Sequence, residues 1–264
     1  MTYGFIGCGN MGGAIARSVV KKVGGEAVVL ANRTQEKADV LADELNCRSG
    51  KNADAAACDF VFLGVKPYLM EPMLCDIHSA LAKNPTGVLV TMAAGLAMER
   101  IREMAGVYNP IIRIMPNTPA SIGKGMIQYC MMDVSTEQKE KFLDAMSLCG
   151  RLDELSEDLI DAASAVSGCG PAFACMFIEA LADGGVACGL PRAKAMEYAA
   201  QMMLGSAELV LRSGQHPGAL KDAVCSPKGS TIQGVRTLEV NGFRSAVTEA
   251  VIAAYEKNRE MGKQ

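Results

Sequence analysis

Phe5-Ile6-Gly7-Cys8-Gly9-Asn10-Met11-Gly12 is the stretch that decides the fold of this chain. Thr2 to Ile6 reads as a short apolar strand, and the pattern G-x-G-x-x-G follows it at once. A helical pattern then runs through Ile15, Val19 and Val20 and stops near Gly24-Gly25. A second strand, Ala27 to Ala31, closes a βαβ unit of about thirty residues. Each glycine has a physical task there: a tight turn, close approach of backbone to a pyrophosphate, and close packing of helix on strand. Glycine-rich turns are common, so it is the flanking strand and helix that point Gly7, Gly9, Asn10, Met11 and Gly12 at a dinucleotide.

The end of the second strand discriminates between cofactors. An NAD site usually carries Asp or Glu there, to hold the ribose 2′-hydroxyl. Here the residues are Asn32-Arg33-Thr34, with no acid. Arg33 suits a 2′-phosphate, and Thr34 suits both that phosphate and the cap of the next helix, Gln35 to Leu45. The expectation is NADPH, with NADH as the alternative.

Strand and helix go on alternating. Asp59 to Val65 is a nearly unbroken apolar run, as a strand covered on both faces should be, and a helix opens after Val65-Lys66-Pro67. Thr86 to Thr91 ends at Ala93-Ala94-Gly95, and Pro110 to Met115 runs into Pro116-Asn117-Thr118-Pro119. Gly125 to Met131 and Arg151 to Leu155 are further strands, with a helix from Thr136 to Cys149 between them. The pattern means an α/β Rossmann-like domain with a mostly parallel sheet. Ligands of such sheets lie at the carboxyl ends of the strands, where Val65, Lys66, Pro67, Ala93, Gly95 and Asn117 all fall. Lys66 and Asn117 are candidates for direct contact with the cofactor.

After Glu157 helical periodicity takes over almost to the end, so the domains are drawn as 1–155 (dinucleotide-binding) and 156–264 (all-α). Pro171 to Leu190 is the most membrane-like segment, but Glu179, Asp183 and Gly184-Gly185 interrupt it, so it reads as a buried helix. The Ala, Met, Leu, Ile and Val content of this half exceeds the needs of one small core, which predicts a homodimer. Between two helical segments lies Cys225-Ser226-Pro227-Lys228-Gly229-Ser230-Thr231-Ile232. A helix opening there offers free backbone N–H groups and two hydroxyls, a receptor for a small carboxylate or phosphate.

Composition narrows the classes. The chain has 264 residues, a formal charge of −3, 27 glycines and no tryptophan. A pI near 5.6 and mean hydropathy of +0.16 suit a globular protein with no call for nucleic acid or an anionic membrane. Ten cysteines lie scattered without C-x-x-C spacing, and there are two histidines. Neither a metal site nor a disulfide framework is signalled, and the thiols suit a reducing cytoplasm. No basic leader precedes the first strand, so no secretory signal is expected.

Along essentially its whole length the chain resembles the pyrroline-5-carboxylate reductases. The residues that carry the resemblance are Phe5 to Gly12, Val65-Lys66-Pro67, Arg113 to Pro119 and Ala165 to Ala172. Most specific is His216-Pro217-Gly218-Ala219-Leu220-Lys221-Asp222 running into Ser226 to Ile232, with Gly242-Phe243-Arg244 beyond. The resemblance implies reduction of L-1-pyrroline-5-carboxylate to L-proline, the last step of proline biosynthesis, with NADPH or NADH. It implies a homodimer through interleaved C-terminal helices, and in several members a decamer of five dimers. It further implies that Ser226, Gly229, Ser230 and Thr231 hold the substrate carboxylate, with Ser167 and Pro171 beside it, and that Thr231 reaches the ring nitrogen as the catalytic hydroxyl. Two departures stand out: Lys228 where glycine is common, and Cys169 where serine is common.

The chemistry agrees with the resemblance. Reducing a ketone creates an alkoxide and calls for a His, Lys or Tyr donor. His78 and His216 are the only histidines, and neither lies in a strand-end loop. A protonated cyclic imine is already electrophilic, and hydride delivery leaves a neutral amine. The rival readings are a reductase of another cyclic imine, a β-hydroxyacid dehydrogenase using Lys194 or Lys221, and a non-enzymatic dinucleotide sensor.

Overall fold

In the computed structural model, which describes residues 1–261, the apolar runs of the first half become one eight-stranded sheet. Its strands are β1 (Tyr3–Ile6), β2 (Val28–Ala31), β3 (Arg48–Ser49), β4 (Phe60–Leu63), β5 (Val88–Thr91), β6 (Ile111–Met115), β7 (Gly125–Met132) and β8 (Gly150–Glu154). The spatial order is β3-β2-β1-β4-β5-β6-β7-β8. Neighbours pair in parallel except β6 and β7, which are antiparallel. The chain first steps outward from β1 to β2 and β3, then crosses back to lay β4 on the other side of β1. That reversal opens a crevice at the carboxyl ends of β1 and β4.

Period-two alternation feeds two cores, one on each face. Tyr3 and Phe5, Phe60 and Phe62, Val88 and Val90 point to one face. There they meet α1 (Asn10–Val23), α2 (Gln35–Leu45) and α6 (Thr136–Met146). Phe5 and Phe62 stack with centroids 4.4 Å apart across the β1–β4 pair. Ile6, Val61, Leu63 and Leu89 point to the other face. It is covered by α3 (Asn52–Ala56), α4 (Met70–Lys83), α5 (Met98–Ala105) and Ile160 of α7 (Glu157–Ser167). The residues from Arg48 to Ala56, for which the sequence carries no clear periodicity, supply β3 and α3.

The rest is helical: α8 (Gly170–Ala187), α9 (Arg192–Ser213), α10 (Pro217–Ala223), α11 (Ser230–Val240) and α12 (Phe243–Met261). The chain divides into two compact units, a sheet unit of Met1–Cys169 joined by α12 from Ala254 onward, and a helical unit, Gly170–Ala253. The change of periodicity draws the sequence boundary at 155/156. In the structure α7, the first helix past it, packs on β7, buries Ile160, Ser164 and Ala165, and belongs with the sheet.

The joint from Ser167 to Pro171 is tight, and one expectation beyond it needs correction. Only Gly168 and Cys169 part α7 from α8, and both of their N–H groups still bond the Ser164 carbonyl, at 2.8 and 3.1 Å. Pro171 is tolerated because it lies in the first turn of α8. The expected buried helix over 171–190 is not buried in one copy of the chain: of α8 only Ala182 is enclosed. With α7 it forms a stretch of 31 residues in which an 18-residue window reaches a mean hydropathy of 1.5. α9 covers part of α8 and Phe243 of α12 packs on Phe177, while Met176 and Leu181 stay exposed.

Candidate functional site

The turn after β1 and the turn after β4 touch. Gly7 has φ +98°, and a Cβ there would stand 2.8 Å from the Gly64 carbonyl group. A Cβ on Gly12 or Gly64 would overlap the Gly7 carbonyl oxygen. No other residue type lets the first turn of α1 and both strand ends approach this closely. Cys8 N–H donates to Asn32 Oδ1 at 3.2 Å, and Asn32 Nδ2 donates to the Thr34 carbonyl at 3.1 Å. The side chain of Asn32 therefore ties the turn after β1 to the turn after β2. Gly9 is the N-cap of α1 and no side chain caps that helix, so its first N–H groups remain free.

These turns enclose a cleft of about 610 Å³. Gly7, Gly9, Asn32, Arg33, Thr34, Val65 and Lys66, all assigned to the cofactor from sequence, lie on its wall. Asn10 and Met11 line an adjoining depression with Gly9, Thr118 and Ser121. Pro67 opens the 3₁₀ turn Pro67–Leu69 that leads into α4. Thr34 occupies the N-cap position of α2, but its hydroxyl makes no capping bond. The hydroxyl is thus free for another partner. Cys8 has its thiol pushed up to about 11, chiefly by burial, so it is no nucleophile at neutral pH.

Close backbone approach at the glycines, free N–H groups at the start of α1 and a cation at the end of β2 fit a dinucleotide. Sequence reasoning missed Lys37, Asn52, Tyr68, Leu69, Pro72, Met73 and Asp76, which share the cleft. Only Lys37 carried a signal, its place four residues beyond Arg33 on the first turn of α2.

Ala93 is buried after β5, and Gly95 turns the chain beyond it with φ +76°. Asn117 is buried, and its carboxamide already has two partners. Oδ1 accepts from the Met126 N–H at 3.1 Å, and Nδ2 donates to the Ser167 carbonyl at 2.9 Å. Pro171 lacks the N–H that would bond Ser167 within a continuous helix, and Asn117 supplies the donor instead. One N–H of Asn117 is left. Ser167 Oγ lies 2.9 Å from Gln128 Oε1 and 3.0 Å from the Ala163 carbonyl.

In the helical unit, Ser226 to Gly229 is a turn closed by Gly229 N–H to the Ser226 carbonyl at 3.0 Å. Pro227 and Lys228 are its central residues, and Lys228 has φ +61°. That is the position where such a turn favours glycine, which accounts for the family habit from which Lys228 departs. α11 begins at Ser230 with Gly229 as its N-cap, so the cap is not a serine or threonine. Ser230 and Thr231 are the first two helical residues, both exposed, and no side chain caps the helix. Their hydroxyls and N–H groups are free to face a ligand. His216 is spent as the N-cap of α10, accepting from Gly218 N–H at 3.0 Å through Nδ1, and His78 Nδ1 lies 2.9 Å from the Ala105 carbonyl. Lys194 donates to Glu197, and Lys221 to Asp222, each at 2.9 Å. The Asp222 carboxylate raises the Lys221 pKa, so this ammonium is no proton acceptor at neutral pH.

The comparisons with known proteins cover both halves. A family model described as "Pyrroline-5-carboxylate reductase dimerisation" matches residues 157–261, and one described as "NADP oxidoreductase coenzyme F420-dependent" matches residues 2–95. The pyrroline-5-carboxylate reductase of Escherichia coli (strain K12) is 40% identical over 98% of this chain and 98% of its own. The Arabidopsis thaliana enzyme of the same name is 37% identical over 98% of this chain and 95% of its own. The crystal structure of Plasmodium falciparum pyrroline carboxylate reductase with NADP bound superposes with a TM-score of 0.90. It is 34% identical and covers 99% of this chain and 98% of that one. The chain is thus a pyridine-nucleotide oxidoreductase that works as a homo-oligomer. It belongs to the pyrroline-5-carboxylate reductase family.

Proposed function

We infer that this chain reduces L-1-pyrroline-5-carboxylate to L-proline, the closing step of proline biosynthesis. The reduced dinucleotide supplies the hydride. Gly7, Gly9, Asn10 and Met11 would hold its pyrophosphate, and Asn32, Arg33 and Thr34 its adenosine ribose. Val65 and Lys66 line the same cleft, and Pro67, Ala93 and Gly95 follow the ends of β4 and β5. With its carboxamide largely spent, Asn117 retains one N–H for the cofactor and holds the end of α7 in place. NADPH is the preferred form, because an arginine stands where an acid would hold a ribose 2′-hydroxyl.

The observation that carries the residue assignment is the uncapped start of α11. Free N–H groups at a helix N-terminus attract a carboxylate, and the Ser226, Ser230 and Thr231 hydroxyls add donors beside them. Thr231 accepts one hydrogen bond from the iminium N–H and orients the C=N bond. Ser167 and Pro171 stay in the proposal as residues of the α7–α8 joint. No titratable side chain is assigned. The iminium needs positioning rather than a proton at the moment of reduction, and both histidines and both candidate lysines are engaged elsewhere. That distribution argues against a hydroxyacid dehydrogenase. The proposed assembly is a dimer, with a ring of five dimers as its larger form. The proposed setting is the cytoplasm, which ten free thiols support.

Absorbance at the nicotinamide band, with pyrroline-5-carboxylate and either NADPH or NADH, tests the reaction and the preference together. Thr231→Ala is expected to lower kcat/KM ten- to hundredfold, since one charge-assisted hydrogen bond is worth about 1.5–3 kcal/mol. An unaltered value would remove Thr231 from the mechanism.

A further inference from the structure

Arg33 does not stand alone at the end of β2. Lys37 lies on the first turn of α2 and lines the main cleft together with Arg33 and Thr34. It also lines the depression of Cys8 to Met11 and a groove with Thr34, Arg17 and Glu44. Lys37 therefore stands where the glycine turn and the β2 end adjoin.

The neighbouring charges leave it uncompensated. Arg17 donates to Glu44 through two nitrogens, at 3.0 and 2.5 Å, so that pair is closed. Asp39 accepts from Gln35 at 2.9 Å, and Asp76, across the cleft on α4, accepts from Asn52 at 3.2 Å. Glu36, beside Lys37 on α2 and on the same groove, forms no salt bridge with it. Among the described residues neither Arg33 nor Lys37 has a carboxylate within 4.0 Å. The helix does not account for Lys37 either, because the first turn carries the positive end of the dipole and favours acids. Two free cations, four residues apart on the rim of one cleft, match a dianionic group.

We propose that Lys37 is a specificity-determining residue that, with Arg33, binds the phosphate on the adenosine 2′-oxygen of the cofactor. The proposal rests on the dinucleotide reading of the cleft. It prefers the 2′-phosphate to the pyrophosphate because Lys37 shares its widest cleft with Arg33 and Thr34 at the β2 end. The start of α1 already offers free N–H groups to the pyrophosphate.

Calorimetric titration of the full-length protein with adenosine 2′,5′-bisphosphate and with ADP separates the two anions without any turnover. In Lys37→Ala the affinity for the bisphosphate is expected to fall about tenfold, as one charge-assisted bond would require. The affinity for ADP should fall less than twofold. The ratio of KM for NADPH to KM for NADH should rise by the same factor of about ten, and Lys37→Arg should restore most of it. Equal weakening toward both nucleotides would move Lys37 to the pyrophosphate and overturn the proposal, as would no weakening toward either. Wild-type protein that bound neither nucleotide would remove the dinucleotide reading itself, and the proposal with it. Lys37 is exposed, so an unaltered thermal midpoint in each variant separates these outcomes from misfolding.

Discussion

The two units of this chain use nearly the same apolar residue types and reach opposite results. In the sheet unit Phe5, Phe60, Phe62, Ile15, Leu74 and Ile77 are closed off from water on both faces of the sheet. In the helical unit Met176, Leu204, Leu209, Leu211 and Val247 stay open, and α10 and α11 bury no residue at all. A sheet with helices on both faces closes its core within one chain, whereas these helices leave much of their apolar surface open. The helical unit therefore spends its apolar surface on another copy, in keeping with the dimerisation match over 157–261. The sheet unit stands by its own packing, and the helical unit by association.

The largest effect expected from this contrast is on assembly. Met202 and Leu209 of α9 are seven residues apart, thus on one helix face, and 46% and 54% exposed in the single chain. Replacing both by Asp adds charge to a surface that costs nothing in a monomer and much in an apolar contact. The expected loss of association is on the order of 5 kcal/mol, about a thousandfold or more in Kd. Light scattering behind a sizing column checks it. An unaltered dimer would show that this face of α9 is not an interface, and the contrast would have to rest on α8 or α12.

The same contrast explains what was legible in the sequence. The glycine turn and the runs Tyr3–Ile6, Val28–Ala31, Phe60–Leu63 and Val88–Thr91 announced themselves because strands buried on both faces need unbroken apolar residues. β3 and α3 left no such trace, since Arg48 and Ser49 are exposed and α3 is five residues long. At the cofactor cleft the strand-end residues were legible from the topology of α/β sheets. Tyr68, Pro72 and Asp76 were not, because they arrive from the 3₁₀ turn and helix after β4 and fit no spacing rule. The partners of Asn117 were hidden for another reason. Its donor replaces a hydrogen bond that Pro171 cannot make, and the acceptor Ser167 is fifty residues away. Arg113 was read as part of a motif only. It is 2% exposed and bonds Asp161 at 2.6 Å and Glu157 at 3.3 Å, while Glu157 also accepts the Met98 N–H at 2.7 Å.

That ion cluster gives the next test, because each unit has an arginine–carboxylate pair in its own setting. Arg113→Ala strands two carboxylates in the sheet unit and is expected to cost about 3–5 kcal/mol. Arg192 pairs with Asp183 in the helical unit with both side chains more than half exposed, and Arg192→Ala should cost no more than about 1 kcal/mol. Urea unfolding of the two variants measures the difference. Equal losses would mean that Arg192 is covered in the assembly, which would sharpen the map of the interface.

The last effect concerns pH, and it too should belong to one unit. Burial pushes the thiols of Cys8, Cys130 and Cys149 up to about 11 from an ordinary 9.0, and all three lie in the sheet unit. Cys175 and Cys188 of the helical unit are exposed. An unfolded chain would release its thiol protons near pH 9, while the folded sheet unit holds these three to about 11. The folded state therefore binds more protons across that window, and its stability falls as pH rises through it. Below pH 9 the thiols are protonated in both states and their contribution is constant. Thermal midpoints between pH 8 and 11 should decline, and replacing Cys130 and Cys149 by Ala should flatten the decline. Buried in the sheet, these thiols couple folding to pH, and the open helices hold no counterpart among the described residues. A decline that survived the replacements would have to come from elsewhere, and a loss of association at the helical faces would be the first place to look.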